Sequence, residues 1–278
     1  MDRKDLTKAQ RWEIANRLVI DRMGIVNQLH EEAHPRMNTF YSKYGKRILD
    51  ILISGLVLII VFPINLFIGI ITFFDVGYPI FFRQERVGKN GKLFYIIKFR
   101  NMKNVYDERG ELLPAKQRVT KFGSLMRKTS LDELLNFWSI LKGDMSIIGP
   151  RPLVPEYYHR WSKRHLTRLS VRPGLECPPR KLDGHVWTWQ EQFENDVWYV
   201  ENISFKTDLK MLYNLFCFAV DRTSVSVRAN ATRGKFMGYE MDGTAINLDG
   251  IPQEYVEWAA REVSIDKEAY LDRSVFKK

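Results

Sequence analysis

The sequence predicts an α/β fold, mainly α with a small β element, in which a compact cytosolic body is carried by a proline-broken helix that re-enters the membrane. Three observations lead there. An uncharged run from Ile51 to Phe74 has Pro63 in its middle, basic residues flank that run on both sides, and an alternating apolar stretch precedes a series of helix-like patterns.

The apolar run is long enough to cross a hydrocarbon core of about 30 Å as a straight helix. An interior proline removes one backbone hydrogen bond and crowds the preceding turn, so a bend is expected at Pro63. Lys43, Lys46 and Arg47 precede the run, and Arg83, Arg86, Lys89, Lys92, Lys98, Arg100 and Lys103 follow it. Both ends therefore satisfy the preference of cationic residues for the cytosol. A helix entering and leaving by one leaflet reconciles the proline with the charges; the competing reading is an ordinary kinked span with the body outside. Residues 1 to 43 are polar and charged, without a leading apolar segment that would read as a secretory signal. Within them Trp12, Ala15, Leu18, Val19, Ile25, Val26 and Leu29 recur at spacings of three and four, which predicts an amphipathic helix over residues 4 to 32. His34-Pro35 then marks a break.

Beyond the run, Tyr78 to Phe82 and Leu93 to Phe99 read as short strands joined by the Gly88 to Gly91 turn. Asn104 to Gln117 reads as a surface loop, residues 122 to 142 and 153 to 170 as helices, and 188 to 218 as one or two more. The expected organisation is an N-terminal helical extension (residues 1 to 43), the membrane helix (44 to 80), a catalytic domain (81 to 220) and a C-terminal extension (221 to 278) of unassigned role, ending in a helical stretch near Glu254 to Val263.

Lysine and arginine number 43 against 33 acidic residues, a formal charge of +10, which implies an anionic partner. From Arg83 to Lys103 the basic residues are interleaved with Phe94, Tyr95 and Phe99, a mixture that suits nucleic acid, a membrane interface or a nucleotide diphosphate. The adjoining apolar run favours the membrane and argues against nucleic acid. Cys177 and Cys217 cannot form a disulfide framework and lack structural-zinc spacing.

Thr129-Ser130-Leu131-Asp132-Glu133-Leu134 admits two readings. In one, Ser130 is an N-cap and Glu133 its capping-box partner. In the other, the same helix start favours a bound phosphate, Asp132 is an ionised nucleophile, and Glu133 helps hold Mg²⁺. Downstream, Arg151 lies between Pro150 and Pro152 in the Gly143 to Pro152 loop, so its guanidinium is expected to be steady enough to grip a phosphate.

These segments occur in a recognisable order. Lys46 to Asp50, Phe82 to Gly88, Lys98-Phe99-Arg100-Asn101-Met102, Leu131 to Leu134, the Gly143 to Pro152 loop and Arg172-Pro173-Gly174 resemble the bacterial sugar transferases, the monotopic phosphoglycosyl transferases or polyprenyl-phosphate hexose-1-phosphate transferases. The resemblance spans residues 44 to 220. It implies a re-entrant helix at the bacterial inner membrane with the catalytic domain facing the cytosol, and the first step of a surface glycan or exopolysaccharide pathway. It implies as partners a UDP-sugar, undecaprenyl phosphate and membrane lipids, with room for a homodimer. By that likeness Asp132 attacks the sugar-bearing phosphorus, Glu133 serves the Mg²⁺ and acid/base part of the site, and Arg151 steadies phosphate charge. Arg86, Lys98, Arg100 and Arg127 are candidates for phosphate contacts, and Asp144 is either structural or catalytic. A non-catalytic membrane scaffold is the rival reading. Two departures stand out: Phe62 precedes Pro63 where relatives often carry serine, and Leu175 to Lys181 replaces the usual continuation after Gly174, which leaves local backbone and sugar preference open.

Overall fold

A computed structural model describes residues 2–106, 113–180, 185–220, 234–264, 271 and 273–276. Helix α1 (Lys8–Leu29) begins at a capping box in which Gln10 N donates to Thr7 Oγ1 at 3.2 Å and Thr7 N donates to Gln10 Oε1 at 2.9 Å. It buries Ile14, Ala15, Leu18 and Val26, while Ile25 and Leu29 face outward.

Helix α2 (Lys46–Val76) is 31 residues long and runs through Pro63 without terminating there. The segment Tyr41–Val76 is long and apolar enough to cross a membrane, and Ile59, Phe62, Phe67 and Phe74 are among its exposed side chains. Both ends of α2 are tied to the folded body. At its start Arg47 donates to Ile140 O at 2.6 Å and to Leu141 O at 2.7 Å, and Asp50 Oδ1 accepts from Ser146 Oγ at 3.0 Å and from Ile147 N at 3.1 Å. At its end Asp75 accepts from Thr120 Oγ1 at 2.5 Å, and Arg100 donates to Val76 O and Gly77 O.

Strands β1 (Phe81–Val87) and β2 (Leu93–Phe99) form an antiparallel hairpin with Phe82 opposite Lys98 and Arg86 opposite Phe94. Since directly opposed residues share a face, Arg86 and Lys98 project from the same side of this sheet. The helix expected over residues 122 to 142 is broken. Helix α3 (Lys121–Thr129) stops at Ser130 in the left-handed region (φ 56°), a 3₁₀ turn covers Leu131–Glu133, and α4 (Asn136–Lys142) follows. The region 153 to 170 is likewise not one helix. Pro155–Arg160 and Thr167–Ser170 are 3₁₀ segments around a four-residue helical turn, and the chain is extended at Trp161 and Ser162, where Ser162 Oγ caps the next turn by accepting from His165 N. Within the expected loop after Asn104, residues 107–112 lie outside the described residues, and Ala115–Arg118 is a short helix.

Strands β3 (Ser146–Ile148) and β4 (Gly174–Glu176) pair in parallel beneath α5 (Trp189–Glu201) and α6 (Phe205–Val220). Phe94, Ile96, Ile140, Met145, Ile148, Tyr199 and Met211 make the core there. Next come the hairpin β5 (Phe236–Tyr239) and β6 (Ala245–Asn247) and then α7 (Gln253–Glu262), and further on a 3₁₀ turn at Arg273–Val275 leads to the buried Phe276. The two terminal regions share a core: Ile14, Ala15 and Leu18 of α1 pack with Met237, Ile246, Val256 and Ala259. The β-branched run after Asp221 falls outside the described residues.

Candidate active site

Asp132 and Glu133 sit on the 3₁₀ turn between α3 and α4. Ser130 makes no side-chain cap there, so the expected capping box does not form. Glu133 is drawn elsewhere: its Oε1 accepts from Lys98 Nζ at 2.6 Å and from Arg151 Nη2 at 3.1 Å. Two cations 35 and 18 residues away in the chain outcompete a neutral local cap. The turn is also too short to supply the dipole of a full helix, so the phosphate preference expected from a helix start does not follow here, and the positive charge beside the pair comes from Lys98 and Arg151.

Asp132 is 5% exposed and accepts from Asn101 Nδ2 at 3.3 Å. Burial pushes its carboxyl above the ordinary aspartate value; Lys98 and Arg127 oppose that shift and Glu133 adds to it. Glu133 goes the other way. Burial alone would raise it, but Arg151 and Lys98 together hold its carboxyl below the usual range. Neighbouring carboxylates are thereby shifted in opposite directions, Glu133 below and Asp132 above the ordinary carboxylate range.

Arg151 bridges Glu133 and Glu176, its Nη1 donating to Glu176 Oε2 at 2.7 Å. Pro150 and Pro152 on either side are buried, and Arg168, itself paired with Asp196 at 2.7 Å, donates to Arg151 O at 2.8 Å. Arg86 donates to Gln84 Oε1 at 2.7 Å; burial, helped by the charge of Arg151, pushes its guanidinium down to about 10.

The family follows from a comparison of this chain with known sequences: the sequence model for bacterial sugar transferases matches residues 41–221. The chain belongs to the bacterial sugar transferase family. The uncharacterized sugar transferase EpsL of Bacillus subtilis is 39% identical over 181 residues, which cover 65% of this chain and 88% of EpsL. The exopolysaccharide production protein ExoY of Rhizobium meliloti is 31% identical, over 62% of this chain and 79% of ExoY. The UDP-glucose:undecaprenyl-phosphate glucose-1-phosphate transferase of Klebsiella pneumoniae is 35% identical over 60% of this chain, but the match spans only 38% of that protein.

The expected site residues divide within this family framework. Asp132, Glu133, Lys98, Arg151 and Arg86 converge, with Arg127 acting on Asp132 through its charge from the last turn of α3. Arg100 does not join them, because the carbonyls ending α2 take its guanidinium. Asp144 is also apart, pairing with Lys142 at 2.8 Å on the surface. Pro63 lies within α2, far along the chain from this turn.

The sequence assigned no role to several other residues that the fold brings into play. Asn101 touches Asp132, and its carbonyl lies where a Cβ on Gly123 would approach to 2.1 Å, so only glycine lets α3 pass this close. Asp208 accepts from Lys46 Nζ at 2.7 Å, from Tyr41 Oη at 2.5 Å and from Tyr199 Oη at 2.6 Å, fixing the start of α2 to α5 and α6. Glu176 lies in the atypical segment. No spacing rule could have joined these partners, since their contacts are made only by the folded chain.

The carboxylate set suits a divalent cation. The side-chain hydrogen bonds to Glu133 fall on Oε1 and that from Asn101 on Asp132 Oδ2, which leaves one further oxygen on each carboxylate. Among the described residues no group of three or more histidine, cysteine or acidic side chains could hold a metal by itself. An ion such as Mg²⁺ takes one or two carboxylates and completes its shell with water and substrate phosphate, so two carboxylates are a sufficient protein share for it.

Proposed function

We propose that this chain moves a sugar 1-phosphate from a UDP-sugar to undecaprenyl phosphate through a covalent intermediate on Asp132. The observation that carries the reading is the split pair: a buried Asp132 beside a Glu133 clamped by Lys98 and Arg151. An Asp132 carboxylate oxygen attacks the sugar-bearing phosphorus, the bond from that phosphorus to the bridging oxygen breaks, and UMP leaves with the electron pair. A phosphate oxygen of the lipid then attacks the same phosphorus and the Asp132 carboxylate departs, yielding a lipid diphosphate sugar. Asp132 and Glu133 would hold Mg²⁺, whose charge would offset that developing on the leaving phosphate. Arg151 and Arg86 offer donors to non-bridging oxygens, and Lys98 keeps Glu133 ionised.

The names of the relatives favour this acceptor and chemistry. A location at the bacterial cytoplasmic membrane with the body in the cytosol is part of the same reading. So is re-entry of α2, supported by the attachment of both its ends to one body and by the basic flanks.

The test is UMP release from UDP-sugars by the purified protein with Mg²⁺ and undecaprenyl phosphate. Asp132→Asn is expected to lower the rate on the order of 10⁴-fold. Full activity in that variant would overturn the Asp132 intermediate, and no release from any UDP-sugar would count for the scaffold reading instead.

A further inference from the structure

The segment after Gly174 places a carboxylate, Glu176, one guanidinium away from Glu133. Glu176 ends β4, where it lies opposite Ile148 of β3, and its carbonyl accepts from Gly149 N at 3.2 Å. The strand ends are held together tightly: a Cβ on Gly174 would lie 2.2 Å from Gly149 N. The chain leaving β3 reaches Arg151 three residues on, so one pair of parallel strands delivers both Arg151 and Glu176.

Their side chains are arranged as a fork. Arg151 Nη1 donates to Glu176 Oε2 at 2.7 Å and Nη2 to Glu133 Oε1 at 3.1 Å, while Cys177 N donates to Glu176 Oε1 at 3.3 Å. The Arg151 side chain is 42% exposed. A long cationic side chain that open to water has considerable rotamer freedom, and a single carboxylate would let it pivot. A second carboxylate on the other terminal nitrogen fixes the guanidinium plane.

We propose that Glu176 is a positioning residue that holds the Arg151 guanidinium against Glu133 and presents its remaining N–H donors to the diphosphate of the sugar nucleotide. Arginine carries five donors, and two are committed to carboxylates here. Glu176 itself touches no reacting atom in this arrangement. The assignment rests on the transferase reading above. It also gives a task to a segment that differs from the usual family continuation.

The experiment measures UMP release by the full-length protein in detergent or nanodiscs, using a UDP-sugar that the wild type turns over. The variants are E176A, E176Q, R151A and the double variant R151A/E176A, each checked by thermal melting. E176A is expected to lower kcat by about tenfold to a hundredfold, the scale of a misplaced catalytic group. E176Q, which keeps an accepting oxygen, should lose only about a few fold and thereby separates positioning from a folding defect. The deciding outcome is the cycle: E176A should cause no further loss once Arg151 is gone. Losses that multiply in the double variant, or an E176A enzyme as fast as wild type, overturn the assignment and leave the transferase reading intact. A wild type that releases no UMP from any UDP-sugar overturns both.

Discussion

The proposed reaction requires charge on Asp132, a carboxylate that is only 5% exposed. Its carboxyl is raised above the ordinary value of about 3.9, so the ionised form that the proposed attack needs accumulates only at correspondingly higher pH. The acid limb of kcat/KM for UMP release should therefore lie above that value. Lys98 is the strongest influence holding the carboxyl down. Removing it in Lys98→Met should move the limb to still higher pH, beyond any fall in maximal rate; a limb that stays put or moves down would contradict the electrostatic account. Gly123 makes a steric demand on the same residue through Asn101. A Cβ at position 123 would approach the Asn101 carbonyl to 2.1 Å, and backbone on both sides has little room to yield. Gly123→Ala is expected to cost about 1–3 kcal/mol of stability. By displacing Asn101 from Asp132 it should also slow UMP release about tenfold or more. Melting curves and initial rates would test the two effects separately.

At the level of elements, the most informative part is α2, whose apolar character and proline were plain in the sequence while its attachments were not. At 1.5 Å per residue a straight helix of this length spans about 46 Å, and a spanning helix would carry its ends to opposite sides of the bilayer. Here Arg47 and Asp50 near one end and Asp75 and Val76 at the other bind the same folded body. Single cysteines placed at Ser42 and Lys103 should thus both react with an impermeant thiol reagent from the cytosolic side, measured in a background lacking Cys177 and Cys217. Labelling from opposite sides would exclude re-entry. Of the β1–β2 hairpin, β2 and the glycine turn were legible as local signals, whereas β1 starts at Phe81 rather than Tyr78 and runs on to Val87 through charged residues that pair with β2. The break at Ser130 was not legible. Ser130 and Glu133 match a capping box in spacing, yet Lys98 and Arg151 claim the glutamate from other elements. A local pattern was overridden by long-range charge, and the site is built from that override.

For the molecule as a whole, the family match ends close to where the shared terminal core begins. Residues 41–221 carry the match, whereas α1, the β5–β6 hairpin and α7 lie outside it and bury Leu18, Met237, Val256 and Ala259 together. That union joins segments more than 200 residues apart, and so neither helix periodicity nor turn signals in either segment could reveal its partner. The terminal unit reaches the body through a second core, where Phe236 packs with Tyr157, Trp189 and Phe193 and where Arg160 donates to Phe236 O at 2.9 Å. The core around Asp132, formed by Ile68, Phe99 and Met126, is separate from both. Damage deep in the terminal unit should consequently be felt there first. Leu18 is 1% exposed, and Gly238 lies so close that a Cβ there would meet Leu18 Cβ at 3.4 Å. Leu18→Ala is expected to cost about 2–5 kcal/mol of local stability, seen as faster proteolysis and hydrogen exchange within residues 234–264. The rate of UMP release should stay within about twofold of wild type under conditions where the unit is still folded, because well-separated sites contribute nearly independently. A large fall in kcat without loss of the body's own melting transition would show instead that the terminal unit sets the geometry at Arg151, through the Pro155–Arg160 segment on which Phe236 packs.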